Sequence, residues 1–386
     1  MRQRTPRLAA FVAATLAAVL TSGASAQGVP APVNGPPVIP VGETEGTEAA
    51  SSFLGGLGIS TAIELGTRVA DGVTRQVSQA VTAAATNPCS GSGSTLRKTS
   101  NGSLTILLLG SDYRRRPYIG ERLDTVIVMN IARNGRVAMV AIPRDTVRVP
   151  LANGGDSGSR RVNTLYIGYK RRGVGPHGVD CNALNRVRLD IAKALGTQIP
   201  YYAMIRMDEF QALISTVNGI PMRIAGTLID YHHRGTRRDI YVPRSSRYVM
   251  RHGGRCGQRP KQCHNALLYA RSRYGTEGGR TNSDFRRLRR QQEIVFYAIR
   301  RVVNRGRGTA LAGLLTTAKG RVYTNLPKTP GGVRALYDFA NKSGFRFATN
   351  DGKVFGPSRW ASYVGRYTFK LRLSDVRQWV DNHFKP

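Results

Sequence analysis

The chain has 386 residues, four cysteines and a formal net charge of +35, from 58 basic and 23 acidic side chains. That length holds one large domain with a tail, or two domains. So large a positive excess implies an anionic partner or surface: nucleic acid, lipid headgroups or a phosphate-rich polymer. Neither a Gly-x-Ser-x-Gly nor a His-Glu-x-x-His element is present and the histidines show no ligand spacing, which argues against the common serine hydrolases and zincins.

Residues 1–26 read as an export signal. Arg2, Arg4 and Arg7 form a basic start, Leu8 to Leu20 an Ala-rich apolar core, and Ala24-Ser25-Ala26 a small-residue cleavage site. The core is short for spanning a bilayer, although an uncleaved anchor is the alternative. Export shifts the expected partner from nucleic acid to the cell envelope and makes disulfides expected. Cys256 and Cys263 flank a short Gly/Pro-containing loop and are the favoured pair, which leaves Cys89 with Cys181. Four cysteines allow three connectivities.

Residues 27–101 read as a low-complexity linker, with at most a weak helix between Thr61 and Ala85, so the folded domain is expected at residues 102–386. Three short apolar runs then follow: Leu104 to Leu109, Val126 to Ile131 and Val137 to Ile142. They are β-branched and bounded by Gly or Pro, as buried strands are. Asn134-Gly135 between the last two predicts a hairpin with a type I′ turn. Antiparallel pairing then brings Asp124, before the second strand, beside Arg144-Asp145, after the third. Strand one must run up to Asp112 before its loop returns the chain, so Asp112, Asp124 and Arg144 should share one end of the sheet, with Arg122 between them. Carboxylates beside guanidiniums suit a hard cation and an anionic phosphate.

Further on, Leu184, Val187, Ile191 and Leu195 recur at helical spacing, with Gly196 as the stop. Tyr201 to Met207 alternates like a strand, Asp208 is placed to cap a helix from Glu209 to Val217, and Asn218-Gly219 turns into a strand from Ile220 to Ala225. Strands and helices in this alternation predict an α/β fold with a mixed sheet. A helix from Ala266 should end near Ala270, and an extended exit would project Arg271 and Arg273 to one side, as a phosphate clamp. In the helix from Asp284 to about Asn304, the apolar stripe is Leu288, Val295, Ala298, Ile299 and Val302. At about 100° per residue, Asp284, Arg287 and Gln291 extend that stripe, whereas Arg286, Arg289 and Arg300 point away. Charge on a core-facing stripe is costly unless it is paired or bound to something. The remainder holds an apolar run from Leu311 to Leu315, a strand at Arg321-Val322-Tyr323, a helix near Val333 to Ala340 and an amphipathic end with Val376, Trp379 and Val380, all read as part of the same domain. His232-His233 reads as a surface pair.

Gly110-Ser111-Asp112, Arg122-Leu123-Asp124-Thr125, Ile142-Pro143-Arg144-Asp145-Thr146 and Val162-Asn163 occur in an order that resembles the LytR-CpsA-Psr family. So do Tyr269-Ala270-Arg271-Ser272-Arg273 and Asp284-x-x-Arg287-x-x-Arg290-Gln291-Gln292. The resemblance implies a central mixed β-sheet flanked by helices, with an apolar lipid-binding tunnel. It implies an envelope phosphotransferase that moves a glycopolymer phospho-sugar from an undecaprenyl-pyrophosphate carrier onto peptidoglycan, with pyrophosphatase activity in some members. By the same resemblance Asp112 and Asp124 would position Mg²⁺ (or Mn²⁺), and Arg122, Arg144, Arg271, Arg273, Arg287, Arg290 and Gln291 would bind pyrophosphate. Asp112, Arg122, Asp124 and Arg144 form the expected catalytic set, with Asp145 the candidate general base. The expected partners are the polyprenyl-pyrophosphate-linked glycopolymer, peptidoglycan and the outer face of the cytoplasmic membrane, with no nucleic acid. Departures from the family pattern are Cys263-His264-Asn265, where a glycine is usual, the Cys256–Cys263 loop, and the lack of a full-length transmembrane segment. Two other readings compete: a basic nucleic-acid-binding regulator using the helix from Asp284, and a non-catalytic binder of anionic wall polymer.

Overall fold

A computed structural model describes Cys89, residues 95–113, 120–174, 178–216, 218–233, 238–251, 263–305, 322–327, 352–357 and 359–384, together with Ala335 and Phe339. The expected export signal and weak helix, Cys256, the run from Leu311 to Leu315 and most of Val333 to Ala340 lie outside the described residues. So do the side chains of His232, His233, Ile299, Arg300 and Val302.

Strands β1 (Leu104–Ser111), β2 (Leu123–Ile131), β3 (Val137–Ala141), β4 (Tyr201–Arg206), β11 (Val322–Thr324) and β12 (Gly352–Val354) form a six-stranded sheet in the order β11-β4-β1-β2-β3-β12. β1 runs antiparallel to β2 and parallel to β4, and β3 is parallel to β12, so the sheet is mixed as predicted. Its residues alternate between two apolar layers. Leu107, Leu109, Val126 and Val128 face helices α2 (Cys181–Leu195) and α6 (Leu373–His383). Ile106, Ile127, Met129 and Met139 face helices α4 (Ala266–Arg271) and α5 (Asp284–Arg305), and with them the β5 (Ile220–Ile224) and β8 (Ser245–Met250) pair. Burial on both faces is why these strands read as continuous apolar runs rather than alternating ones.

The hairpin forms, but not through a type I′ turn. The Gly135 N–H donates to Ala132 O at 2.9 Å, so Arg133 and Asn134 are the turn's central pair. Gly135 alone there has positive φ (83°), and Ala132 and Arg136 close the ladder behind it. This is the three-residue loop in which a left-handed glycine follows a type I turn. Helix α2 is capped by the Asp180 carboxylate, which accepts from the N–H groups of Asn182 and Ala183, and closes at Gly196. Helix α3 (Met207–Thr216) starts earlier than expected, so Asp208 lies inside it and is not its cap. The Arg206 N–H is instead bound by Glu209 Oε2 at 2.7 Å.

The remaining strands are β6 (Leu228–His233), β7 (Arg238–Val242), β9 (Thr276–Glu277) and β10 (Arg280–Thr281), in a small sheet, and a hairpin of β13 (Ala361–Tyr363) and β14 (Phe369–Leu371). Helix α1 (Leu165–Tyr169) packs against α2. Packing begins before Gly102: Leu96 lies against the core and the Arg97 N–H donates to Tyr201 Oη at 2.7 Å. A Cys89–Cys181 disulfide ties the preceding segment to the start of α2. Cys263 is also disulfide-bonded and buried.

Candidate active site

Strand ends and the first turns of α5 build the site at one end of the sheet. Ser111 pairs with Leu123 and Gly110 with Thr125, which leaves Asp124 as the extra residue of a β-bulge. A bulge interrupts the ladder and re-aims the side chain. Gly110 leaves room for it, since a Cβ there would lie 2.8 Å from Thr125 Cβ. The Asp124 carboxylate accepts from Arg144 Nη1 at 3.1 and 3.3 Å and from Asn163 Nδ2 at 3.2 Å. Arg287 Nη1 lies 4.0 Å from the same carboxylate. Arg144 also pairs with Asp284 at 3.0 Å and Asp145 at 3.5 Å, and Asp145 is shared with Arg161 at 3.0 Å. Asp284 in turn lies 3.6 Å from both Arg273 and Arg287. Four guanidiniums therefore interleave with three carboxylates, and the cluster carries one positive charge in excess.

Burial pushes the Asp124 carboxyl up, but Arg144 and Arg287, with the Asn163 and Arg144 hydrogen bonds, together hold it below the ordinary aspartate value. Burial works against the charge on Arg144, yet Asp124, Asp284 and Asp145 outweigh it and its pKa is raised. Arg287 goes the other way: burial, with repulsion from Arg144 and Arg273, lowers its pKa despite Asp284 and Asp124. Only 4% of Arg287 is exposed, and its buried Nε has no hydrogen-bond partner. The buried Oδ1 of Asn163, beside Asp124, is likewise unbonded. Buried polar atoms are seldom left so in native proteins, and here a donor and an acceptor are left open within one charged cluster. A phosphate oxygen would satisfy the first; a hydroxyl or a cation would satisfy the second.

The structure thus brings together Asp124, Arg144, Asp284, Arg287 and Arg273, as predicted. Asp112 and Arg122 close the neck of their loop: the Arg122 N–H donates to Asp112 Oδ1 at 2.6 Å, and the Asp112 N–H to Arg122 O at 2.9 Å. The Arg122 side chain is exposed. Asp145, the candidate general base, lies between the guanidiniums of Arg144 and Arg161 and helps to position Arg144. Arg271 lies in the last turn of α4, so the extended exit begins only at Ser272, and it is Arg273 that reaches Asp284. Gln291 spends its amide within the protein, accepting from Thr125 Oγ1 at 3.0 Å and donating to Ala270 O at 3.1 Å. Arg290, expected on pyrophosphate, is fully buried instead. Its guanidinium donates to Tyr269 O, Ser272 O, Asn282 Oδ1 and Glu277 Oε2, and so holds the segment that carries Arg273. Arg286, expected to point away, is half-buried and donates to Glu277 O at 3.0 Å. Arg289 is outward as predicted, with 75% of its side chain exposed.

Sequence reasoning missed one buried ion pair. Glu121 is fully buried and binds Arg206 through both oxygens, at 2.8 and 3.0 Å, while accepting from Ser111 Oγ at 2.9 Å. It seals the root of the loop that leads to Asp124. The available signal was Arg206 at the end of the Tyr201–Ile205 run; its partnership with Glu121 across 85 residues is not a local property. The usual glycine before α4 is also replaced functionally, since Asn265 Oδ1 caps that helix by accepting from the Leu268 N–H at 3.0 Å.

Among the described residues no group of three or more His, Cys, Asp or Glu side chains could hold a metal ion by itself. Mg²⁺ commonly takes one or two carboxylates and completes its shell with substrate phosphates and water. Asp124, held ionised beside the open Asn163 Oδ1, fits that demand. Asp112 lies at the neck of the loop that leads to Asp124, its Oδ1 accepting from the Arg122 N–H. Among the described residues no helix is long and apolar enough to cross a membrane.

No curated protein matches the chain. Solved structures share its fold. A protein of Streptococcus agalactiae, gbs0355, aligns with a TM-score of 0.51 and 14% identity over 72% of this chain and 88% of its own. EF0465 of Enterococcus faecalis, described as a transcriptional regulator, gives 0.50 and 18% over 73% and 87%. TagV of B. subtilis gives 0.49 and 23% over 75% and 98%. The LytR_cpsA_psr family model matches residues 69–350, well over half of the chain, and every strand of the sheet but β12 lies within that span. The chain therefore belongs to the LytR_cpsA_psr family, whose members are cell-wall glycopolymer transferases.

Proposed function

We propose that this protein transfers a glycopolymer phospho-sugar from an undecaprenyl-pyrophosphate carrier to a hydroxyl of peptidoglycan, at the outer face of the cytoplasmic membrane. Hydrolysis of the same pyrophosphate bond would be its side reaction. The observation that carries the reading is the interleaved cluster at the bulged end of the sheet, with its excess positive charge and the open, buried Nε of Arg287. In the proposed step, the acceptor hydroxyl oxygen bonds to the sugar-linked phosphorus. The bond from that phosphorus to the bridging oxygen breaks, undecaprenyl phosphate leaves with the bond's electron pair, and the hydroxyl proton passes to the departing phosphate or to water. Phosphoryl transfer through a loose transition state needs mainly placement and charge neutralisation, which Arg144, Arg273 and Arg287 are disposed to supply. Asp124 and Asp284 hold those forks in place, and the open Asn163 Oδ1 would accept from the attacking hydroxyl. Asp112 and Asp124 would hold Mg²⁺ or Mn²⁺, which when bound would neutralise further phosphate charge. An apolar tunnel for the polyprenyl chain belongs to the same proposal.

The nucleic-acid reading needs α5 to present a row of cations outward, whereas in its first two turns Arg287 and Arg290 are buried and Arg289 is the largely exposed one. Mass spectrometry of a short-chain prenyl-pyrophosphate substrate, incubated with the purified chain with and without chelator, separates an enzyme from a binder. Metal-dependent release of prenyl phosphate is the expected result. Stoichiometric binding without any release would overturn the proposal.

A further inference from the structure

The β13–β14 hairpin lies beyond the family match, which ends at residue 350. Its inward side chains, Ala361, Phe369 and Leu371, are buried. Its tip is the reverse: Tyr363, Val364 and Tyr367 are 64%, 49% and 65% exposed, and no other large apolar residue among those described exceeds 44%. Exposed apolar groups gathered at one tip mark a contact surface. Arg359, Arg366, Lys370 and Arg372 are exposed around them, and residues 359–372 contain no Asp or Glu. The Arg366 guanidinium stacks over Tyr367, 5.2 Å from the ring centroid.

The tip is tied to the charged site. The Val147 N–H donates to Phe369 O at 3.0 Å, three residues after Arg144. Phe369 lies 6.3 Å from Tyr363 and 5.8 Å from Phe285, centroid to centroid, and Phe285 follows Asp284 at the start of α5. The hairpin is therefore fixed to the segment after Arg144 and to the first turn of α5, which carries Asp284.

We infer that this hairpin is a docking wedge for an anionic phospholipid surface. Tyrosine suits the membrane–water interface because its ring is apolar and its hydroxyl remains hydrated. A purely positive rim complements acidic headgroups, each surface Lys or Arg contributing about 1 kcal/mol at low salt. The inference rests on the proposed function only in expecting the site to face lipid; the hairpin's own residues carry the rest.

The test uses the full chain with Tyr367→Trp and vesicles whose acyl chains are brominated, with the parent chain's two tryptophans as the background. Local quenching is read rather than sedimentation, because the apolar N-terminal segment can hold any variant on a vesicle. On phosphatidylglycerol vesicles the introduced indole should shift blue and be quenched; on phosphatidylcholine it should not. Adding Arg366→Gln and Lys370→Gln should raise the lipid concentration needed about twenty- to thirtyfold, at roughly fivefold per charge, with the thermal melt unchanged. An unquenched indole on anionic vesicles, equal quenching on both lipids, or a blue shift without lipid that follows protein concentration and so reports a second copy, would each overturn the inference. No pyrophosphate lipid is present, so failure here leaves the transfer reaction standing, and failed turnover leaves the docking result standing.

Discussion

Within four positions of helix α5, three arginines meet three different fates, and substituting each separates site from scaffold. Arg287 lies 3.6–4.0 Å from the Asp284 and Asp124 carboxylates with 5% of its side chain exposed. Losing a buried charge-paired contact that acts on the transition state costs about 2–5 kcal/mol, or on the order of thirtyfold to several-thousandfold in rate. Arg287→Met keeps most of the volume, and Arg144 and Arg273 still pair with the Asp124 and Asp284 carboxylates, so turnover should fall far more than stability. Arg290 is the converse case. Its removal takes a donor each from Glu277 Oε2, Asn282 Oδ1 and two main-chain carbonyls, and only Asn282 Oδ1 keeps a close alternative, the Ser283 N–H at 2.9 Å. Breaking a buried pair costs about 3–5 kcal/mol, which lowers Tm by on the order of 10 °C in a domain of this size. Arg289→Ala loses only a contact with Glu293 at 3.5 Å on an exposed face, worth about 0–1 kcal/mol. Prenyl-pyrophosphate turnover per folded molecule and thermal melts should be recorded together on all three variants. If Arg290→Met melts like the parent yet loses turnover as Arg287→Met does, or if Arg289→Ala matches Arg287→Met, the assignment of roles fails.

Glu121→Ala leaves Arg206 charged and buried and should cost about 3–5 kcal/mol, whereas Glu121→Leu combined with Arg206→Met should recover most of it in urea unfolding; a double variant as unstable as the single would refute the pairing argument. The Asp124 carboxyl is held below its ordinary value, so its stabilising contribution is present in full above the unfolded pKa near 4 and is lost as pH falls through the lower folded value. The Tm difference between the parent and Asp124→Asn should therefore stay constant from pH 7 to about 5 and shrink only below about 4; a difference that vanishes by pH 6 contradicts this. Closing the 92-residue separation between Cys89 and Cys181 should contribute up to about 4–5 kcal/mol, so Cys89→Ser with Cys181→Ser should lower the urea midpoint, and an unchanged midpoint would show that the unfolded chain is not restricted by that bond.

The sequence by itself determined the first five strands, the hairpin between the second and third, and the side of α5 that turns inward. Apolar periodicity and turn chemistry are local properties, and each can be read from neighbours in the chain. They sufficed to place Asp124 and Arg144 at one sheet end, and to turn Arg287 inward and Arg289 outward. Only the tertiary structure decided where charges go once they are inside. Arg290 looks like Arg287 in sequence, but a single turn of helix separates a guanidinium set among the Asp124 and Asp284 carboxylates, with its Nε left unbonded, from one closed in by carbonyls. Gln291 lies on the predicted stripe and is nevertheless consumed by Thr125 and Ala270. The Asp124 bulge and the Glu121–Arg206 pair depend on strand register and on which distant segments meet. Hydrogen bonds and ion pairs are short-range and directional, so their partners are chosen by the packed fold and carry no period along the chain.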